Sequence, residues 1–497
     1  MKKLLLPFYP ILLGIIWVLT VYLANKESLP SASIMIIPML VVTAIIATVW
    51  FIANLIVKDW KKSALIVTVI FLLTIAHGYI REYTNIVGIK MVPIWLALMV
   101  AGIFAIVKVT RPKGRDSLTV IGNVVCVAIL GVSLVSSSLI EPPYSNVVEA
   151  ATISKIHNPT PDVYYIIPDC YTSNYVLSNY MDYDNSEFTN FLISKGFTVK
   201  NESFANYSRT ILSVSSVMNM KYWSDEELGN YPTKVLGSAL YENPVGDTFS
   251  KADYEYIQLG SWWSFTASNK AANVTYRYST LNELGFELYR LTVWYDLFDY
   301  LFDLGGNRLL RNADLRQFRN LIDVSDMPEH TFTFCHFILP HPPFVFDANG
   351  NPASGWILPP EEWKRMYLDQ LTYTNKLLEN AITEILSNSE VTPIIVISAD
   401  EGYSDVEWQA YLDTNHSLDN IVRDRPDLVT ERQGNLFAIL NPYSSDIPSS
   451  PVNIFPTIFN CLFSSNLTYL PDKYYLKSLD AYPGSFIDIT EFINGRS

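Results

Sequence analysis

Two adjacent carboxylates, Asp400 and Glu401, follow the apolar run Ile394–Ser398. Negative charge that dense beside buried backbone is unfavourable unless a divalent cation offsets it, and oxygen ligands suit magnesium, manganese, calcium or zinc. Asp169 stands in the same relation to the run 163–167, and His341 to the run 331–339. His341 lies in Pro340-His341-Pro342-Pro343-Phe344, where the proline rings fix the backbone and with it the direction of the imidazole. Such placement favours contact with a ligand over a free surface histidine. His336 alternates within its run and reads as a core histidine. An Asp after a strand is by itself usually a turn or cap residue, so the weight rests on the set.

Residues 206–216, Asn-Tyr-Ser-Arg-Thr-Ile-Leu-Ser-Val-Ser-Ser, pass from a loop into a helical period and carry five Ser or Thr hydroxyls. Ordinary capping accounts for one of these. A threonine at a helix N-terminus can attack phosphorus or sulfur when a metal lowers its hydroxyl pKa, while the helix dipole and free amides hold the anionic ester. Thr210 is the candidate nucleophile, and Arg209 and Ser213 are candidate substrate contacts.

The elements that position these residues follow from periodicity. Runs at 163–167, 254–259, 331–339 and 394–398 are short and rich in β-branched and aromatic residues, as strands buried on both faces are. Between them lie helix-period segments such as 188–195 and 364–386. Strands alternating with helices predict a mostly parallel sheet sandwiched by helices, with ligands gathered outside the carboxyl ends of the strands. Asp169, His341, Asp400 and Glu401 all fall at such ends. Trp262 and Trp263, after the Gly260-Ser261 turn, are candidates to line a sugar- or lipid-binding cleft.

The first 140 residues are of another kind. Five apolar stretches, at 4–24, 34–57, 64–80, 91–109 and 118–140, approach the roughly 20 residues that a bilayer requires. Loops on one side hold Lys2, Lys3, Lys58, Lys61, Lys62, Arg111, Lys113 and Arg115, and on the other only Lys26, Arg81 and Lys90. This bias puts the N-terminus in the cytoplasm and, with five spans, the C-terminal domain outside. A signal peptide at 4–24 is disfavoured, because no small-residue cleavage site follows and four more spans do. His77 is the exception among spans otherwise nearly free of ionisable residues, and its place beside Gly78 and Arg81 suggests an interfacial structural role. Without a buried chain of charges, a transporter or proton pump is disfavoured. The expected organisation is a transmembrane anchor at 1–140, a linker at 141–160, an extracytoplasmic catalytic domain at 161–480 and a tail at 481–497.

Before Glu141 the chain holds 12 basic and 4 acidic residues, and from Glu141 onward 23 and 45, a net charge of −22 for the second part. That surface repels polyphosphate, which excludes nucleic acid as a natural partner, and an anionic substrate needs a local metal or dipole to hold it. Cys126, Cys170, Cys335 and Cys461 have no zinc-ribbon or redox spacing.

The ordered set of motifs resembles the sulfatase-like branch of the alkaline phosphatase superfamily, which includes lipoteichoic acid synthases and phosphoethanolamine transferases. The matching pieces are residues 161–169 for a first metal strand, 206–220 for a nucleophile helix, 336–344 for a histidine loop and 394–402 for a second metal strand. The resemblance implies an alkaline phosphatase-like domain behind a five-span anchor. It also implies metal ligands at Asp169, Thr210 and Asp400, a nucleophile at Thr210, and contact of His341 with the transferred group or a second metal. Sulfatases need Cys or Ser at the position that Thr210 occupies, so transfer of a lipid head group to an envelope lipid or glycan is favoured over sulfate-ester hydrolysis. The departure is Glu401, where the family generally has His or Asn. As a ligand, Glu401 would favour magnesium, manganese or calcium over zinc; His416 is a candidate to compensate. The alternative function is a catalytically inactive module that binds or assembles envelope polymers.

Overall fold

The computed structural model describes residues 6–26, 29, 32–84, 91–109, 112–136, 149–229, 232–278, 281–302, 306–355, 359–403, 406–415, 417–477 and 485–495. Part of the expected linker, part of the tail, and His416 lie outside the described residues. The chain divides into two compact units, one of Met1–Pro143 with Leu281–Leu309, the other of Tyr144–Thr280 with Leu310–Ser497.

In the first unit, helices Tyr9–Ala24, Ile36–Val57, Trp60–Thr84, Val92–Val109 and Pro112–Ser136 fall on the five apolar stretches. Three segments, Ala32–Val57, Trp60–Arg81 and Gly114–Leu134, are long and apolar enough to cross a membrane, whereas Tyr9–Ala24 and Val92–Lys108 are shorter apolar helices. Two helices from far along the chain, Glu283–Arg290 and Val293–Phe302, also belong to this unit. Leu284, Leu288 and Leu291 form an apolar stripe at helical spacing that packs with Trp17, Val18 and Leu29, and Val293 packs with Val92, Trp95 and Met99. These residues lie within the range 161–480 that the sequence assigns to a single outer domain. Their arrival gives His77 a partner: its Nδ1 is 3.5 Å from Asp296 Oδ2, and Arg81 holds the other oxygen of that carboxylate at 2.9 Å.

The second unit is a three-layer α/β domain. Its strands include β1 (Val163–Pro168), β2 (Thr198–Lys200), β3 (Glu255–Leu259), β4 (Val274–Tyr276), β5 (Thr331–Phe337), β6 (Phe344–Phe346), β7 (Pro352–Gly355), β8 (Ile394–Ser398) and β9 (Phe437–Leu440). Seven of them form one sheet in the order β2-β9-β8-β1-β5-β3-β4. The pairs from β8 to β4 are parallel, and β9 is antiparallel to both β8 and β2. Side chains of β1 alternate between two cores: Tyr164 and Ile166 face one, Val163, Tyr165 and Ile167 the other. Helix Pro360–Asn388 covers the first face, and helices Thr210–Asn219 and Ile454–Phe463 cover the second. Burial on both faces is why these strands read as unbroken apolar runs.

Candidate metal and ester site

The site grows from three neighbouring strand ends. In the register of the sheet Pro168 lies beside Phe337, and Ile166 beside Ile397, so β1, β5 and β8 terminate at one level. Asp169 extends the β1 ladder by one residue, its N–H donating to Phe337 O at 2.9 Å. His341 returns to the same place, its N–H donating to Asp169 O at 3.1 Å. Asp400 and Glu401 follow β8 directly.

The chain turns away at Cys170, whose φ of 59° lies in the left-handed region that non-glycine residues seldom occupy. Surrounding groups hold it there. The Cys170 N–H donates to Asp400 Oδ1 at 3.3 Å, and the Cys170 carbonyl accepts from the Tyr367 hydroxyl at 2.9 Å. Gly402 is required on the opposite wall: a Cβ there would lie 2.2 Å from the carbonyl oxygens of Glu431 and Gly434. That close approach, sealed by Gly402 N–H donating to Arg432 O at 2.8 Å, presses the end of β8 against helix Pro426–Gln433.

Two sets of side chains bring their ligand atoms within 4.8 Å of one another: Asp169, Cys170 and His341, and Asp169, His336 and Asp400. His336 is fully buried, as a core histidine would be, yet its Nε2 lies 3.4 Å from Asp169 Oδ2 while its Nδ1 pairs with Thr266 Oγ1 at 2.9 Å. Trp263 packs edge-on against the same ring, with centroids 5.8 Å apart. Among the described residues, Asp169 Oδ1 and Asp400 Oδ2 are buried without a hydrogen-bonding partner. Buried polar atoms are rarely left so. A divalent cation would satisfy them, and carboxylate, imidazole and thiol donors together fit one.

The charges here act on one another. Burial, then the charges of Asp169 and Glu401, push the Asp400 carboxyl well above the usual range, and the Thr210 hydroxyl beside it pulls the other way. Burial would also raise Asp169, but His341 and His336 bring it below its ordinary value. Glu401 is raised by burial and moderated by Arg432, which meets it in a buried ion pair at 2.6 Å. Burial followed by Glu401 and Asp169 pushes the Cys170 thiol up.

Thr210 is the first residue of helix Thr210–Asn219, and no side chain caps that helix, because the cap position is Arg209. The expectation that one of the clustered hydroxyls caps it is therefore not met. Arg209 is close enough to Arg432 and Glu401 to feel both charges. Ser213 Oγ donates to Tyr207 O at 3.0 Å, which ties it to the loop before the helix. Trp262 packs against the core on the other face of the sheet from the one that takes in Trp263. Cys170, His336 and Arg432 are the site residues that the sequence reading left out. Cys170 is adjacent to Asp169 and His336 begins the histidine loop 336–344, whereas Arg432 carries no such signal.

No family model matches the chain, and no curated protein matches it. Among solved structures, it is similar to the C-terminal periplasmic domain of EcEptC from Escherichia coli, at 11% identity over 69% of this chain and 96% of that one, with a TM-score of 0.44. It is similar to the integral membrane protein lipooligosaccharide phosphoethanolamine transferase A from Neisseria meningitidis, at 11% identity over 84% of this chain and 81% of that one, with a TM-score of 0.38. A protein in the alkaline phosphatase superfamily from Vibrio parahaemolyticus is similar at 9% identity over 68% and 78% of the two chains, with a TM-score of 0.40.

Proposed function

We propose that this chain is a membrane-anchored, metal-dependent enzyme that transfers or hydrolyses a phospho- or sulfo-ester through a covalent Thr210 intermediate. Five spans would place the N-terminus in the cytoplasm and the site at the outer face, within reach of envelope lipid or glycan. The observation that carries the reading is the meeting of Thr210, at an uncapped helix N-terminus, with Asp400 and the buried, unpartnered oxygen of Asp169.

Asp169 and Asp400 would hold the cation, with His336 or His341 completing its donors. A divalent cation bound there would polarise the ester and make the Thr210 hydroxyl easier to ionise. Thr210 Oγ attacks phosphorus and forms the new P–O bond as its proton passes by way of water to the leaving oxygen. The bond to the leaving oxygen breaks and takes its electron pair with it. The first-turn amides and Arg209 face the negative charge of the transferred group. An acceptor hydroxyl then attacks the Thr210 ester, the Thr210 O–P bond breaks, and the proton that the acceptor loses returns to Thr210 Oγ.

A second reading, an inactive binding or assembly module, is favoured by the engagement of Glu401 with Arg432. The two separate in one experiment. Full-length protein in lipid is incubated with a divalent metal and anionic phospholipid donors, quenched and digested. The enzyme predicts a mass adduct on Thr210 that Thr210→Ala lacks. If the protein binds no divalent metal and carries no adduct, the inactive reading stands.

A further inference from the structure

We propose that Cys170 supplies a sulfur ligand to the cation of this site, alongside Asp169 and His341, and thereby selects zinc over magnesium and calcium. The inference rests on the metal-dependent reading above and adds to it a ligand and a selectivity.

A buried cysteine is ordinarily a small hydrophobe. Cys335 fits that description, with an apolar core around it. Cys170, 1% exposed, does not. Its Sγ lies 3.4 Å from Glu401 Oε1 and 3.9 Å from a guanidinium nitrogen of Arg432. The left-handed backbone at Cys170, held by Asp400 on one side and Tyr367 on the other, fixes the direction of the side chain.

Independent features point to a ligand at the same spot. Asp169 is 4% exposed, and its Oδ1 has no hydrogen-bonding partner among the described residues. The Asp169, Cys170 and His341 ligand atoms lie within 4.8 Å of one another. His341 Nδ1 contacts Pro342 O, and since a carbonyl can only accept, this contact in the neutral ring puts the proton on Nδ1 and leaves the Nε2 lone pair for a ligand. A ring nitrogen tied to a backbone carbonyl while the other is free is the usual arrangement around a metal-bound histidine.

The donor set decides the metal. Magnesium and calcium take oxygen ligands, whereas zinc takes thiolate, imidazole and carboxylate together. Glu401, the residue that would favour a hard cation, is already paired with Arg432. On binding, the S–H bond breaks, the proton is released to solvent, and the sulfur electron pair forms the bond to zinc.

Full-length protein in detergent, loaded with one equivalent of zinc, tests this by X-ray absorption at the zinc edge. The expected spectrum contains one sulfur scatterer at about 2.3 Å beside nitrogen and oxygen at about 2.0–2.2 Å. Cys170→Ser loses the sulfur shell, and a variant with Cys126, Cys335 and Cys461 all changed to alanine keeps it, so the test survives if Cys170→Ser fails to fold. Zinc bound through nitrogen and oxygen alone in the parent overturns the sulfur ligand and leaves the metal-dependent reading intact. Failure to retain zinc or any other divalent metal overturns both.

Discussion

Arg432 Nη2 lies 2.6 Å from Glu401 Oε2, with 6% and 3% of the two side chains exposed. The guanidinium also donates to Ser208 O at 3.0 and 3.2 Å, so one side chain joins the end of β8 to the loop that leads into Thr210. Removing one partner of a buried pair strands the other charge, whereas removing both is close to neutral. Arg432→Met is therefore expected to lower stability by about 3–5 kcal/mol, and adding Glu401→Gln should restore most of the loss. Thermal unfolding of the full chain in detergent measures both. A single variant no less stable than the double would mean that Arg432 does not balance Glu401.

Thr210 and Ser213 are both hydroxyl residues on the buried helix, but their surroundings separate them. Thr210 faces Asp400, while Ser213 is bonded to the Tyr207 carbonyl. Thr210→Ala should abolish the covalent adduct and Thr210→Ser should keep it. Ser213→Ala should still form the adduct and cost about 0.5–1.5 kcal/mol of stability, the usual worth of one hydrogen bond. An adduct lost in Ser213→Ala and kept in Thr210→Ala would move the nucleophile.

What the sequence made legible is what local chemistry dictates. Apolar runs buried on both faces announced β1, β3, β5 and β8, and the acids that end β1 and β8 marked their carboxyl ends. Arg432 was not legible, because it reaches Glu401 from a polar helix that only the close backbone approach at Gly402 brings near. His336 looked like a core residue, and it is buried. Its role at the site depends on which face of β5 meets Asp169, which periodicity alone does not say. The helices Glu283–Arg290 and Val293–Phe302 were hidden differently: their apolar stripe is plain, but a stripe does not name what it packs against.

His336 connects Thr266 to Asp169, and this gives it a measurable part in metal binding. Residues that orient a metal-binding carboxylate typically change affinity by about 10–100-fold when replaced. His336→Gln should weaken zinc affinity by that factor, as read by competition with a chromophoric chelator. Thr266→Val should weaken it in the same direction by less, since the imidazole remains. Unchanged affinity in both variants would make His336 a packing residue alone.

Asp314, on helix Gly306–Asp323, is 4% exposed, and burial pushes its carboxyl up to about 8. In the unfolded chain an aspartate titrates near 3.9, so the folded form holds the proton over the range between. The stabilisation from that protonated form is complete below about pH 4 and is lost as pH rises through about 8, at roughly 1.4 kcal/mol per pH unit. Asp314→Asn keeps a neutral group of similar shape and removes this slope. The melting temperature of the parent should therefore fall more steeply between pH 5 and 8 than that of Asp314→Asn, with the variant the more stable at the alkaline end. Asp162, Asp400 and Glu401 also have raised carboxyls but are common to both proteins, so the difference isolates Asp314. Parallel curves would show that Asp314 ionises in the folded state as readily as in the unfolded one.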